Sequence, residues 1–122
     1  MLWEAGTVFA RWLHRYAQPA GLLEGQRVLE LCSGSTGLCG LAAWQLGAEH
    51  VVLSDYIPEL VAQLGSNIAR NAAASTAGSI EACSLDLSTV GAQGFAALRN
   101  AAGSALCDAR GNLRVTPSMP CI

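Results

Sequence analysis

The chain has 122 residues and a mass of 12.6 kDa, which is enough for one small domain. Seven basic residues, all arginine, stand against nine acidic ones, so the net charge is −2 and the pI about 5.5, a balance that argues against a nucleic-acid binder that neutralises phosphates. Hydrophobic residues make up 52% of the chain and charged residues 13%, which excludes a mainly disordered protein.

The first predicted element is an amphipathic helix over residues 7–17. Its apolar side chains recur at helical spacing and form one face, consisting of Val8, Phe9, Trp12, Leu13 and Tyr16. We expect Phe9 and Trp12 to pack in the core. Pro19 and Gly21 are predicted to end the segment.

A strand, a glycine-containing loop and a second helix follow. The spacing predicts a strand over residues 27–32 and a loop over residues 33–37. Ser35 or Thr36 is expected to cap the next helix, which Gly47 closes.

A second strand is predicted over residues 50–54, with an apolar run typical of a strand buried on both faces of a parallel sheet. Asp55 ends this strand, and Pro58 fits the first turn of a third helix. A third strand over residues 79–85 ends at Asp86. The alternation of helices and strands predicts an α/β fold with a three-stranded parallel sheet flanked by helices.

The chain after residue 87 has weaker patterning. Residues 92–102 are predicted to form an alanine-rich helix, and residues 103–122 an irregular tail. We therefore expect a folded unit over residues 1–87 and a separate segment over residues 88–122.

Cysteine usage indicates a reducing compartment, so we expect a cytoplasmic protein, with the nucleus as a second location. The five cysteines are odd in number, none has C-x-x-C spacing, and there are two histidines, so neither a disulfide framework nor a zinc site is expected. No apolar run of about 18 residues predicts a membrane span, and the N-terminus lacks the features of a signal peptide.

Three features point to a nucleoside ligand. The loop after the first strand brings Gly34, Gly37 and Gly40, where glycine lets a ligand approach the backbone, although Gly40 also suits close packing of helix on strand. Glu30 is near the end of the first strand, and Asp55 closes the second. An acid in the position of Asp55 can accept hydrogen bonds from the two ribose hydroxyls, although strand-end acids also serve as helix caps.

The charge of this loop favours one ligand over another. A dinucleotide site places G-x-G-x-x-G directly after the strand, whereas Glu30 and Cys32 stand at that point here. A carboxylate repels a pyrophosphate but suits a cation. S-adenosylmethionine (SAM), with an ammonium, a sulfonium and a ribose, is favoured, and a dinucleotide stays the alternative.

The sequence also resembles a known family. The segment VLELCSGSTGLCG, residues 28–40, is similar to motif I of the class I, seven-β-strand SAM-dependent methyltransferases, and most of all to protein-lysine methyltransferase family 16, which is often labelled nicotinamide-methyltransferase-like. Further similarities are the WEAG segment at 3–6, the strand end LSD at 53–55, the segment NIARN at 67–71 and LDL at 85–87. The resemblance covers about residues 3–87.

This resemblance implies the N-terminal half of a Rossmann-like methyltransferase that uses SAM and acts on a protein lysine. The residues that it places at the cofactor are Trp3, Glu30, Cys32, Ser33, Gly34, Asp55, Asp86 and Leu87. No metal site is expected, and no catalytic triad either, because methyl transfer depends mainly on orientation. The residues that would choose the methyl acceptor are expected in the missing half, so we name no catalytic residue. A protein substrate is the expected partner, neither nucleic acid nor a membrane is expected, and the oligomeric state stays open.

The chain departs from the family in four places. Cys32 replaces the first glycine of the motif, the loop is one residue longer, and Leu87 replaces a tryptophan. No segment resembling the family's fourth strand follows the third one, so one wall of the cofactor crevice is expected to be missing. An incomplete, poorly stable chain, or an inactive remnant of a SAM-binding protein, is therefore an alternative hypothesis.

Overall fold

The computed structural model describes residues 3–74 and 78–89, and these form a three-stranded sheet packed against helices. In chain order the elements are helix α1 (Glu4–Trp12), a π-helical turn (Leu13–Ala17), strand β1 (Arg27–Glu30), helix α2 (Leu38–Gln45), strand β2 (His50–Asp55), helix α3 (Pro58–Asn71), a 3-10 turn (Ala72–Ala74), strand β3 (Ser79–Ser84) and a second 3-10 turn (Leu87–Thr89). The helix predicted at 92–102 and the predicted tail lie outside the described residues.

The three strands are parallel and lie in the order β1-β2-β3. Glu30 is opposite Leu53, and Asp55 is opposite Ser84, so the carboxyl ends of all three strands meet at one edge. Val51, Val52 and Leu53 of β2 are fully buried, as expected for a strand covered on both faces. The predicted α/β fold with a three-stranded parallel sheet flanked by helices is confirmed.

The core lies between the sheet and the helices. Its buried members include Leu13, Leu41, Trp44, Val51, Leu53 and Leu64. The buried Trp44 indole donates a hydrogen bond through Nε1 to the carbonyl oxygen of Gly78, at 2.9 Å. This bond satisfies the polar atom of a buried ring and joins α2 to the chain entering β3.

The predicted core face of the first helix was wrong in part. The exposed members of that face are Val8, Trp12 and Tyr16. The buried stripe instead follows Phe9, Leu13 and Ala17, four residues apart, with Phe9 half-buried and stacked on Trp12 at 5.8 Å. The helix also begins earlier than predicted, at Glu4, and continues as the π-helical turn, which changes which side chains face the sheet.

The start of α2 also differs from the prediction, because neither Ser35 nor Thr36 caps it. Gly37 is the N-cap residue, with φ of 59°, and no side chain of the N-cap position bonds the helix. The carboxylate of Glu30 serves instead, since Oε2 accepts a hydrogen bond from the amide of Gly40 at 3.2 Å. A strand residue thus satisfies a free amide in the first turn of the helix.

Gly40 is required because α2 crosses β2 closely at this position. A Cβ atom on Gly40 would lie 2.1 Å from Cδ2 of Leu53 and 2.9 Å from Oε2 of Glu30. We expect Gly40→Ala to lower the free energy of unfolding by about 2 kcal/mol, since overpacking a tight contact forces the core to shift. Urea denaturation followed by circular dichroism measures this change.

The matched control is Gly65→Ala, which also lies in a helix but has no atom within 4 Å of the added Cβ. This substitution is expected to raise the free energy of unfolding by about 0.5–1 kcal/mol, because alanine loses less entropy in a helix than glycine. Equal effects at the two glycines would show that α2 does not contact β2 as described.

Candidate functional site

The candidate site lies at the carboxyl edge of the sheet, where the loop after β1 meets the end of β2. Ser33, buried in this loop, donates its amide to the carbonyl oxygen of Ser54 at 2.8 Å. The amide of Ser54 in turn donates to Oγ of Ser33 at 3.2 Å, and Oγ of Ser54 donates to the carbonyl oxygen of Glu30 at 2.8 Å. These reciprocal bonds fix the loop beside the last residues of β2.

Asp55 closes β2 and holds the loop through its carboxylate. Only 6% of Asp55 is exposed. Oδ2 accepts a hydrogen bond from the amide of Gly34 at 3.0 Å, and Oδ1 accepts from the amides of Tyr56 at 2.8 Å and Ile57 at 3.2 Å. A carboxylate has about four acceptor positions, so backbone amides occupy about three of them. The structure therefore brings together Asp55 and the loop glycine Gly34, which represent two of the three features from which the sequence predicted a nucleoside site.

Glu30 lies beneath the loop rather than projecting freely from the strand end. Its Oε2 atom accepts hydrogen bonds from Oγ of Ser33 at 3.1 Å and from the amide of Gly40 at 3.2 Å. Burial raises the pKa of the Glu30 carboxyl above its usual value, and the bonds from Gly40 and Ser33 act in the opposite direction. The negative charge is thus placed at the amino end of α2, where the helix dipole favours it.

This position of Glu30 bears on the type of ligand that the loop can hold. Dinucleotide sites bind a pyrophosphate on free amides at the amino end of the helix. Here the amide of Gly40 already donates to a carboxylate, and loop residues 31–37 contain no lysine or arginine. A second anion at this helix end would be repelled, whereas a cationic ligand would be attracted.

Besides Gly37, two further residues of the loop have left-handed backbone conformations. Gly34 has φ of 64°, and a Cβ there would have no atom within 4 Å, so the space above it is open. Cys32 has φ of 53°, the one described non-glycine residue with a positive φ, and its side chain is exposed. This conformation explains why a glycine suits position 32 and why the cysteine there is strained.

Asn67 of α3 supports the loop, a role that was not predicted from the sequence. Its Nδ2 donates to the carbonyl oxygens of Ser35 at 2.8 Å and Thr36 at 3.3 Å. Asn67 lies one turn after the buried Leu64, on the side of α3 that faces the sheet. An amide side chain on the inner face of an amphipathic helix was the sequence signal for this contact.

Two predicted residues follow β3 at the same edge of the sheet. The amide of Leu85 donates to the carbonyl oxygen of Asp55 at 2.9 Å, so Asp86 and Leu87 come directly after a contact with the end of β2. Oδ1 of the exposed Asp86 accepts from the amide and hydroxyl of Ser88, bonds that lower the pKa of Asp86. Leu87 is 46% exposed. Both side chains therefore lie on the surface.

Trp3, the remaining predicted residue, lies at the start of α1 and is 75% exposed. Its carbonyl oxygen accepts a hydrogen bond from the amide of Gly6 at 3.0 Å. The carbonyl oxygen of Gly6 in turn accepts from Sγ of Cys39 in α2, at 3.4 Å. The backbone near Trp3 is thus joined to the first turn of α2, and the indole is exposed.

Other types of site receive no support from residues 3–74 and 78–89. These residues contain no group of three or more side chains suited to a metal ion. Cys32, Cys39 and Cys83 are free thiols. None of the described helices has the length and apolar character needed to cross a membrane.

Comparison with known proteins gives a consistent result. A family model described as lysine methyltransferase matches residues 1–93. A ribosomal protein L11 methyltransferase from Xanthomonas oryzae is 42% identical over 62 residues, which are 51% of this chain and 19% of that protein. A protein-lysine N-methyltransferase EFM3 from Chaetomium thermophilum is 38% identical over 66 residues, 54% of this chain and 19% of that protein. The chain thus spans about a fifth of these curated relatives.

A solved structure agrees in fold. The crystal structure of a candidate RNA methyltransferase from Pyrococcus horikoshii matches with a TM-score of 0.52 and 27% sequence identity. The match covers 67% of this chain and 37% of that one. The arrangement of parallel strands and helices is therefore that of a known methyltransferase fold.

The backbone strain at Cys32 can be tested by introducing glycine at this position. Cys32→Gly is expected to raise the free energy of unfolding by about 0.5–1 kcal/mol, since a left-handed conformation costs other residues about 1–2 kcal/mol and glycine's freedom in the unfolded chain offsets part of the gain. Urea denaturation is the measurement. Cys32→Ala is the control, because alanine retains the strain and should give no gain. A similar gain from both variants would contradict the assigned backbone conformation.

The environment of Glu30 predicts a specific pH dependence of stability. Because burial raises the pKa of Glu30, the folded state binds the proton more tightly than the unfolded state, and stability falls as the pH rises above the usual value of 4.5. Glu30→Gln removes this titration but keeps an acceptor oxygen for the Gly40 amide. Denaturation at several pH values should therefore show wild-type stability declining relative to Glu30→Gln as the pH increases. A constant difference across the pH range would refute this assignment.

Proposed function

Because the chain belongs to the lysine methyltransferase family, we propose that it binds SAM and takes part in methyl transfer to a lysine side chain of a protein. The methyltransferase fold supports the first part of this proposal. The relatives named as protein-lysine and ribosomal protein L11 methyltransferases support the second, since both names describe protein substrates.

The observation that carries the proposal is the contact between Asp55 and Gly34. The hydrogen bond of 3.0 Å places the acid at the end of β2 directly beside the loop after β1. A ribose in the open space above Gly34 would have its hydroxyls within reach of this carboxylate. Since amides already occupy about three of the four acceptor positions, we propose that the second ribose hydroxyl displaces the amide of Gly34.

The charge around the loop favours SAM over a dinucleotide. SAM has a positive charge and no phosphate, and the Glu30 carboxylate beneath the loop attracts a cation. Because this carboxylate already accepts the Gly40 amide at the amino end of α2, the usual site for a pyrophosphate is filled by the protein itself.

We assign the remaining predicted residues to two ends of the cofactor. Cys32 and Ser33, beside Glu30, are proposed to lie at the methionine end, where the thiol of Cys32 occupies space that a glycine would leave open. Asp86 and Leu87, after β3, are proposed to lie at the adenine end, and Trp3 is proposed to cover one side. The exposure of the Asp86, Leu87 and Trp3 side chains supports this placement.

SAM supplies a methyl group on a positively charged sulfur, which a neutral amine can attack. The residues of this chain bind and orient the cofactor through Asp55 and the β1 loop, and that orientation is the main contribution required. We propose no catalytic residue and no metal in this segment.

A chain that binds SAM weakly or not at all is the second candidate. The specific observations in its favour are the strained Cys32, where the family has glycine, and the engagement of Asp55 by three backbone amides. The cysteine makes cofactor binding less favourable than a glycine at position 32 would. The three amide bonds to Asp55 make it less favourable because a ribose hydroxyl has to displace one of them.

We also propose a reducing location, namely the cytoplasm, with the nucleus as a second compartment. The exposed Cys32 and the buried Cys83 are both free thiols, which supports this assignment. Burial raises the pKa of Cys83 to about 11, so this thiol stays protonated and unreactive.

Calorimetry on the purified chain tests SAM binding. We expect heat on titration with SAM and with S-adenosylhomocysteine, and none with NAD. Asp55→Asn should weaken SAM binding about tenfold or more, because hydrogen bonds to a charged group contribute about 1.5–3 kcal/mol. The control is Glu24→Gln, which removes a charge just before β1, at the opposite edge of the sheet, and should leave the affinity unchanged.

The same preparations test methyl transfer. Labelled SAM is incubated with a mixture of proteins, and the products are hydrolysed and analysed for methyllysine. Incorporation that is lost in Asp55→Asn supports the proposed function. A folded chain that gives no heat with any of the three ligands would reject it and leave the non-binding alternative.

A further inference from the structure

A groove outside the cofactor loop follows one side of α1. Its volume is about 640 Å³, and its lining consists of Thr7, Ala10, Arg11, His14, Arg15 and Leu38. We call this feature the α1 groove. None of the residues assigned to SAM lines it.

The α1 groove is built by two helices that are held together. Residues 7, 10, 11 and 14 recur at intervals of three and four, so they share one side of the helix. Leu38, on the opposite wall, is the first residue of α2 and directly follows the cofactor loop. The hydrogen bond from Sγ of Cys39 to the carbonyl oxygen of Gly6 joins the two walls. The groove therefore begins where the cofactor loop ends.

Positive charge is carried by two of the residues that line the groove. Arg11 and Arg15 are exposed, and neither forms a salt bridge with any residue of the described part of the chain. The guanidinium of Arg15 lies 5.7 Å from the centre of the Tyr16 ring, a contact that limits its motion without neutralising its charge. Glu4 is the one acidic residue of α1.

We propose that the α1 groove binds an acidic segment of the protein substrate, next to the lysine that is methylated. This proposal rests on the proposed function. Unpaired arginines bind carboxylates through paired hydrogen bonds, and Ala10 and Leu38 provide apolar surface for the stems of glutamate side chains. Because the groove adjoins the cofactor loop, a segment bound there would hold a neighbouring lysine near the methyl group.

An acidic peptide suits the groove better than RNA does. No phenylalanine, tyrosine or tryptophan lines it, so unpaired bases would find no such ring on which to stack. Two exposed arginines can each pair with one carboxylate of a short acidic segment. The net charge of −2 on the whole chain opposes binding of a long polyanion such as RNA.

The test measures fluorescence anisotropy of the full 122-residue chain with SAM and a labelled peptide whose single lysine is flanked by glutamates. A second peptide with glutamine at each glutamate position and a single-stranded RNA of the same length are the comparison probes. We expect the acidic peptide to bind more tightly than the other two. Arg11→Gln should weaken its binding about fivefold, the effect expected for loss of one exposed ion pair.

The matched control is Arg70→Gln, which removes one exposed positive charge from α3, outside the groove. It should change the peptide affinity less than about 1.5-fold, the size of a distant and screened charge effect. Equal affinity for the acidic and neutral peptides, equal effects of the two arginine variants, or tighter binding of RNA would each overturn the proposal.

SAM calorimetry on the same samples separates this proposal from the proposed function. SAM binding without preference for the acidic peptide would reject the α1 groove as the substrate site and leave the cofactor assignment intact. Preference for the acidic peptide that Arg11→Gln abolishes, without SAM binding, would support the groove and reject the cofactor assignment.

Discussion

The hydrogen bond between the Asp55 carboxylate and the Gly34 amide is the contact on which the candidate site depends. It joins residues 21 positions apart and sets the distance between the loop after β1 and the end of β2. The carboxylate is buried, so replacing these amide bonds with water costs more than it would on the surface. The proposed ribose would therefore compete with an internal contact, and its affinity would be the difference between the two.

Glu30 likewise has two roles, because its carboxylate caps the amino end of α2 and also places a negative charge beneath the loop. The first role explains how so short a helix can begin at Leu38. The helix has eight residues and no side-chain cap at Gly37, and its first turn would have unsatisfied amides without the carboxylate of Glu30. The charge that stabilises the helix is the same charge that disfavours a pyrophosphate. Fold and ligand preference therefore depend on one side chain.

The sequence was sufficient to predict the sheet and the position of Asp55, because both depend on local patterns. An apolar run that ends in an acid, followed by a proline at the start of a helix, specified β2, Asp55 and α3. The position of Asp55 at the same edge as the loop after β1 followed from the parallel order of the strands. Predicting these features required no knowledge of how individual side chains pack.

The parts that sequence reasoning missed depend on contacts between distant residues. The buried stripe of the first helix could not be predicted from hydrophobicity, because its small residue Ala17 is buried while Tyr16 and Trp12 are exposed. The cap of α2 comes from Glu30, eight residues before the helix starts, and no local capping rule includes such a residue. The support of the loop by Asn67 likewise joins residues about 30 positions apart.

The amino end of α2 connects the two sites that we assign to this chain. On one side, the loop that ends at Gly37 is held by Asp55 through the amide of Gly34, at the proposed ribose contact. On the other side, Leu38 forms a wall of the α1 groove. If a ribose displaces the Gly34 amide, the loop must shift, and Leu38 is the first helical residue after it. Cofactor binding and the shape of the groove are then coupled through a few residues of backbone. In that case the factor by which the cofactor changes the affinity for a peptide in the groove equals the factor by which the peptide changes the affinity for the cofactor.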